Sequence, residues 1–246
     1  MIRAPALCGG GGLGARLDAW LHPNPPAQAD RARPFGPQAM KGKTMLLTEL
    51  TKTPSAALPL AALKDHLRLG TAFGLDGLQD GLIETHLRAA IATIEGRLGK
   101  VLQRRSYKLT LADWRDNAVQ PLPLAPALAV ARVSMFDAMG VEMVLDSTRY
   151  RLEADSHRPK LHAVGMLFPA APSDGRIEIL FDAGFGDTWA QVPADLAQAV
   201  MLLAAQLYET RHDAGAQAQI MGLPAAVQSL IAPWRNVRVL GGGARR

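Results

Sequence analysis

The sequence has little cysteine, few aromatic residues and no apolar run long enough to cross a membrane. Its one cysteine, Cys8, excludes an internal disulfide and any zinc site built from several cysteines. Aromatic residues make up 5% of the 246 residues and charged residues 20%, against 48% hydrophobic residues. The longest apolar stretch, 196–208, is interrupted by Gln198 and Gln206 and is shorter than the roughly 20 residues of a membrane-spanning helix. We therefore predict a soluble globular protein with no membrane partner.

Basic residues are concentrated at the two ends of the chain. Residues 1–44 carry six basic and two acidic residues, and residues 235–246 carry four arginines and no acidic residue. The remaining residues, 45–234, hold 17 basic against 20 acidic residues, a net charge of −3. A DNA-reading domain clusters its basic residues on one folded face, so this distribution argues against such a domain. A nucleic-acid-binding module that uses the basic termini is the alternative hypothesis.

The first segment, residues 1–44, is rich in Gly, Pro, Ala and Arg and has no apolar periodicity. This composition predicts a disordered basic segment. Because organised sequence starts at Met45, we hypothesise that the natural product begins at or near that residue.

Two glycine motifs in this segment do not predict a nucleotide site. Gly9, Gly11 and Gly14 match a dinucleotide-binding pattern, but no strand precedes them and no helical pattern follows. The 42–44 stretch resembles the end of a phosphate-binding loop, yet Pro37 stands where that loop needs its first glycine. We predict no cofactor.

Two helices are predicted before residue 103. Leu60, Leu63 and Leu67 have the spacing of one helix face, and Gly70 follows as a stop signal. A longer helix is predicted from about residue 78 to residue 98. Its apolar stripe consists of Ile83, Leu87, Ile91, Ile94 and Leu98.

Between residues 103 and 183 the apolar period changes to two, which predicts about six short strands. A turn at 137–140 joins two arms of a hairpin. The proline-punctuated segment 121–126 is expected to be a connection. In the last strand, Ile177, Ile179 and Phe181 share one face.

No metal or catalytic site is predicted. His66 and His86 lie on predicted helices without a ligand at the i+4 position, and His157 and His162 have no third ligand nearby. No nucleophile with a glycine elbow is present, so we predict no catalytic residue and no enzymatic activity.

The most apolar helix is predicted to follow Pro193. One apolar stripe consists of Leu196, Val200, Leu203 and Leu207, and a second of Ala197, Met201, Ala204, Ala205 and Tyr208. A helix apolar over most of its circumference must be covered on more than one side. The cover is either the chain's own domain or a neighbouring subunit.

The end of the chain is predicted to be extended. Pro233 ends a short helix over about 224–231, and residues 234–240 alternate apolar and polar side chains in the manner of a strand. Such a segment either adds to a sheet of another protein or packs on its own domain as an edge strand.

The order and spacing of these features resemble the head-tail connector, or adaptor, proteins of tailed bacteriophages and phage-like gene transfer agents. The resemblance covers about residues 58–240. It is carried by the segments AALKDHLRL, DGLIETHLRAAIATIEGRLGKVLQRRSYKLTL, PLPLAP, YRLEAD, IEILFDAGFGDTWAQVPADLAQAVMLLAAQLYETRHD and LPAAVQSLIAPWRNVRVL.

The resemblance implies an α+β fold. A small helical bundle, residues 45–102 and 190–233, receives an inserted antiparallel β subdomain, residues 103–189, and ends in an extended C-terminal tail, residues 234–246. It also implies a structural protein without a reaction, assembled in the bacterial cytoplasm into a virion. There it forms a ring, typically of twelve copies, beneath the portal protein. The ring extends the DNA channel and docks the next head-tail or tail-completion protein.

These expectations assign two sets of residues. The tail residues expected to contact the portal protein are Trp234, Arg235, Val237, Arg238, Val239 and Leu240. The helix residues expected to pack subunits against one another are Met201, Leu202, Ala205 and Tyr208. DNA in the channel is expected to make only transient, non-specific contact, which suits a body of net charge −3 because strong phosphate binding would retard the DNA.

Overall fold

The computed structural model describes residues 44–69, 79–212 and 222–235. In these ranges the strands are β1 (Met45–Glu49), β2 (Arg105–Leu111), β3 (Val119–Pro121), β4 (Ala127–Phe136), β5 (Glu142–Leu145), β6 (Tyr150–Glu153), β7 (Lys160–Ala163) and β8 (Arg176–Ala183). The α-helices are α1 (Leu60–His66), α2 (Asp80–Leu98), α3 (Ala194–Glu209) and α4 (Ala225–Ile231). The predictions for residues 1–43 and for the tail beyond Arg235 lie outside the described residues.

The described strands form two antiparallel sheets. The larger sheet has the order β1-β2-β8-β4-β5, and the smaller has the order β3-β7-β6. Every pairing in both sheets is antiparallel. The predicted mixture of helices with an antiparallel β part is confirmed.

Strict alternation builds the centre of the larger sheet. In β8, Ile177, Ile179 and Phe181 are buried, as predicted, while Glu178 and Asp182 point to the opposite face. Strand β2 repeats the pattern with buried residues at 107, 109 and 111. Because side chains alternate between faces along a strand, these residues form one apolar face.

The smaller sheet and its flanking loops cover that apolar face. Leu161 of β7 is buried in the same cluster as the core residues of β2, β4 and β8. Trp114 stacks on Phe168 with ring centroids 4.3 Å apart, and its indole N–H donates to the Pro169 carbonyl at 2.8 Å. Trp114 has the largest fully buried side chain of the described residues, and its stacked pair with Phe168 completes this core.

The helices form a second core around α3. Leu196, Ala199 and Val200 are fully buried in a cluster that also contains Ile83, Leu87 and Ile94 of α2. Residues of α1 and α4 belong to the same cluster. The chain's own helices therefore cover most of the apolar circumference of α3.

Strand β1 differs from the prediction, which assigns residues 45–102 to the helical body. Met45–Glu49 pairs along its whole length with β2 at one edge of the larger sheet. Met45 and Leu46 are both exposed, so the segment shows no alternation of apolar and polar residues. Pairing with the free edge of β2, which is remote in sequence, determines the conformation of β1.

Gly184 directly follows β8, where the chain returns from the sheet to the helices. Its φ is 139°, and a Cβ atom there would lie 2.5 Å from the backbone nitrogen of Arg104. Only glycine permits both the dihedral angle and the close approach. Strand β8 accordingly ends at Ala183, the residue before this glycine.

Candidate assembly interface

The first of the predicted tail residues, Trp234, is anchored inside the chain. It lies in a 3₁₀ turn, Ala232–Trp234, directly after α4. Its indole N–H donates to Asp195 Oδ2 at 2.5 Å, and Asp195 lies in the first turn of α3. Its ring meets the ring of Phe185 edge to face, with centroids 5.4 Å apart. The segment up to Trp234 is thus held by both the start of α3 and the loop before it.

Lys100 also contacts the Trp234 ring. The ammonium group lies 5.6 Å from the Trp234 ring centroid and donates to the Ser156 carbonyl. The residue is 1% exposed. Burial lowers the pKa of Lys100, while the nearby Asp155 carboxylate acts in the opposite direction. A buried cation between a carbonyl and an aromatic face stabilises the contact between the loop and the turn.

The tail therefore becomes extended later than predicted. Trp234 belongs to the 3₁₀ turn, and Arg235 is the first residue with extended backbone angles, φ −68° and ψ 138°. Arg235 is exposed. The other predicted portal-contact residues, Val237, Arg238, Val239 and Leu240, lie outside the described residues. The aromatic residue directly after the helix-ending Pro233 was the signal for an internal anchor.

The predicted subunit-packing residues of α3 are already covered within one chain. Met201, Ala205 and Tyr208 are each 8% exposed, and Leu202 packs partly buried against the helical core. The Tyr208 hydroxyl donates to Gln79 Oε1 at 3.1 Å. Their contact with a neighbouring subunit stays a prediction, and contacts inside the chain account for their burial.

Trp234 and Tyr208, one residue from each predicted set, lie near opposite ends of α3. Asp195, which holds Trp234, is in the first turn, and Tyr208 is in the last. Thirteen residues of helix separate these two positions by about 20 Å. The structure does not bring Trp234 and Tyr208 together.

Exposed apolar side chains lie on both edge strands of the larger sheet. On β1 they are Met45 and Leu46, with 57% and 59% of their surface exposed, and on β5 they are Met143 and Val144, with 50% and 51%. The sequence predicted Met143 and Val144 in the second arm of a hairpin, and it assigned Met45 and Leu46 to the helical body. Only the strand order shows that both strands are edges.

An apolar groove borders the β1 edge. It has a volume of about 450 Å³, and Met45, Leu111 and Leu122 contribute to its lining. Leu111 and Leu122 belong to the buried core of the sheets, so the groove is an opening of that core beside β1.

The outer face of the larger sheet carries charges that neutralise one another. Arg104 pairs with Asp182 at 2.7 Å, Arg132 with Glu142 at 2.7 Å and Arg176 with Glu178 at 2.7 Å. Burial on its own would raise the pKa of Asp182, but hydrogen bonds from Ser106 and Arg104 outweigh it and lower that pKa. These paired charges do not form a cationic patch of the kind that binds phosphate.

A partly buried ion-pair network joins β1 to the helices. Arg105 of β2 pairs with Glu95 of α2 at 2.5 Å and with Glu49 of β1 at 3.1 Å. Glu95 also accepts the Leu102 backbone N–H at 2.8 Å. Burial raises the pKa of Glu95 despite the attraction of Arg105. The network ties the edge of the sheet to the helical core.

Metal-binding and membrane-spanning features are absent from the residues that the structure describes. No group of three His, Cys, Asp or Glu side chains is placed to hold a metal ion there. Of the two histidines near β7, His162 pairs with Glu153 at 2.5 Å and His157 stacks near Trp234. No described helix is long and apolar enough to cross a membrane.

The chain is similar to solved structures from gene transfer agent particles. A chain in the neck of an empty particle, computed with C6 symmetry, is 48% identical with a TM-score of 0.72. A chain in the virion of a native particle is 48% identical with a TM-score of 0.70, and one in a native neck computed with C12 symmetry is 45% identical with a TM-score of 0.68. Each match covers 80% of this chain and 98% of the other. No protein-family model and no curated protein sequence matches.

Proposed function

The chain belongs to the head-tail connector family represented in the necks of gene transfer agent particles, and we propose that it is an adaptor that forms a ring under the portal vertex. Its homology to neck components supports a structural role in such a particle. The single observation that carries the proposal is the match at 48% identity over 98% of a neck chain. Conservation over nearly the whole neck chain favours the same role over a borrowed domain.

Ring formation is supported by the symmetry of the similar particles. Their necks are described with C6 and C12 symmetry. In a cyclic ring each copy contacts two neighbours through two different surfaces. The ring would extend the DNA channel between the portal protein above and the next head-tail or tail-completion protein below, inside a virion assembled in the bacterial cytoplasm.

Low affinity for DNA suits this role. The outer sheet face carries paired charges, with Arg104, Arg132 and Arg176 each matched by a carboxylate. DNA would therefore make only transient, non-specific contact with this face while passing. A nucleic-acid-binding module that uses the basic termini would instead bind with an affinity that falls steeply with salt.

Portal contact is assigned to the tail that leaves the body after Trp234. Arg235 is exposed and extended, and Val237, Arg238 and Val239 further along the sequence alternate apolar and polar side chains, with apolar Leu240 after them. An extended segment of this kind adds to a partner through its backbone and alternate side chains. Trp234 would fix the point from which the tail departs.

The test removes the tail in two steps. A variant lacking residues 236–246 should keep the thermal unfolding midpoint of the full chain but lose co-purification with the portal protein. The matched control lacks only residues 241–246, the GGGARR end, and should still co-purify. Unchanged portal association of the shorter variant would overturn the assignment of the tail. Loss of salt-sensitive DNA binding, with portal association intact, would favour the nucleic-acid-binding alternative.

A further inference from the structure

Both edges of the larger sheet lack the features that normally prevent an edge strand from pairing with a strand of another molecule. Among the described residues, β1 pairs only with β2 and β5 only with β4. Edge strands in monomeric proteins are commonly protected by lysine, proline or inward-pointing charges. Neither MLLTE nor EMVL contains lysine or proline. Their carboxylates, Glu49 and Glu142, are neutralised by Arg105 and Arg132 of the same chain.

The exposed side chains of the two edges lie at the same level of the sheet. One row of cross-strand partners runs from Met45 through Leu111, Ile177 and Met135 to Met143. The next row runs from Leu46 through Thr110, Glu178 and Ser134 to Val144. The first row belongs to the core face and the second to the outer face.

The two edges also run in the same direction. Four antiparallel pairings separate β1 from β5, so the outermost strands are parallel to each other. Each edge thus offers one large apolar side chain on each face, at matching heights and in matching order. Copies standing side by side would bring Met143 next to Met45, and Val144 next to Leu46.

We propose that the β5 edge of one copy packs against the β1 edge of the next and that this contact closes the ring. The proposal rests on the proposed ring function and names the surfaces that build it. A cyclic ring requires two different surfaces on every copy, and the two edges of one sheet supply them. A two-fold dimer would instead join like edges, β1 to β1 or β5 to β5.

The groove beside β1 supports this assignment. It lies on the core face, where the side chain of Met45 lies, and its volume of about 450 Å³ exceeds that of a methionine side chain. In the proposed contact the core-face methionine of β5, Met143, faces this opening of the neighbouring copy. Unbranched, flexible methionines fill irregular apolar gaps of this kind.

Cysteine crosslinking on assembled particles tests the proposal directly. The natural cysteine is replaced by Cys8→Ser, and Leu46→Cys and Val144→Cys are introduced singly and together. Within one chain, positions 46 and 144 are separated by about four inter-strand spacings, or about 19 Å. A short thiol-to-thiol crosslinker therefore joins them only between copies. Purified particles are treated and the denatured chain is resolved by mass.

The double variant is expected to give a ladder of crosslinked multimers, and the single variants to stay at one chain. The control pair, Leu46→Cys with Met166→Cys, uses an exposed apolar residue in the loop after β7, outside both edge strands, and should give no ladder. Dimers from either single variant would indicate like-edge contacts and overturn the proposal. So would a crosslink to another particle protein, or particles that contain the chain but show no ladder. Particles made with the unmutated chain that nonetheless lack it would contradict the proposed function instead.

A charge exchange keeps the proposal testable if the cysteine variants do not assemble. Leu46→Lys or Val144→Glu alone should lower incorporation into particles at least about tenfold, because each leaves a charge in an apolar contact. The two together should restore incorporation, since the charges meet across the junction between copies. Circular dichroism must show the single variants folded. Folded single variants with normal incorporation, or a double variant that is no better than either, would overturn the proposal.

Discussion

Replacing Trp234 with alanine distinguishes an internal anchor from a portal contact. The substitution removes the hydrogen bond from the indole N–H to Asp195, which is worth about 1.5–3 kcal/mol for a charged acceptor. It also removes the edge-to-face contact with Phe185, about 0.5–1.5 kcal/mol, and the contact with the Lys100 ammonium, about 0.5–1 kcal/mol. These contributions overlap, and Trp234 is half-buried. We expect a loss of about 3 kcal/mol in the free energy of unfolding.

Urea unfolding of the free chain measures this loss, and thermal unfolding should show a midpoint lowered by roughly 6–12 °C. Trp234→Phe keeps the ring contacts and loses only the donor, so it should cost about 1–2 kcal/mol. The exposed neighbour serves as the control, because Arg235→Ala should change stability by no more than about 0.5 kcal/mol. If Trp234→Ala leaves the free chain as stable as Arg235→Ala does but abolishes portal binding, the internal anchor is refuted.

Three further predictions concern the junction, the ion-pair network and α3. Gly184→Ala should destabilise the chain by at least about 2 kcal/mol in urea, because φ 139° and the Arg104 backbone exclude a Cβ, whereas exposed Gly96→Ala in α2 should be neutral or stabilising. The raised pKa of Glu95 means that the folded chain favours the protonated side chain. Glu95 therefore adds to the free energy of unfolding at pH below its ordinary pKa of 4.5, and this stabilisation is lost as pH rises through the raised pKa. Glu95→Gln should flatten that part of the stability profile in chemical unfolding at a series of pH values, and an unchanged slope would contradict the assignment. Tyr208→Phe should cost about 0.5–1.5 kcal/mol of free-chain stability through the lost bond to Gln79, and an unchanged unfolding midpoint would contradict that role.

Local patterns predicted most of the secondary structure because they report which residues face a core. The alternation in β8 and the apolar stripe of α2 are both seen, and Gly99 ends α2 in the left-handed conformation, φ 63°. These features depend on neighbours in sequence, so a single sequence carries them.

Long-range pairing decided what local patterns did not predict. Strand β1 has two adjacent exposed apolar residues, and nothing within MLLTE marks it as a partner of β2. The sequence predicted Trp234 to be the start of a free tail because Asp195 and Lys100, which hold it, are distant in sequence.

The sequence by itself determined the mixed helical and antiparallel character, the order of its elements and the family they resemble. The tertiary structure alone decided that Met45 and Met143 end one row of the sheet, and Leu46 and Val144 the next. The physical reason is that side-chain periodicity selects a face, whereas register and strand order depend on hydrogen bonds between segments far apart in the chain. The candidate ring surfaces are therefore formed only in the tertiary structure.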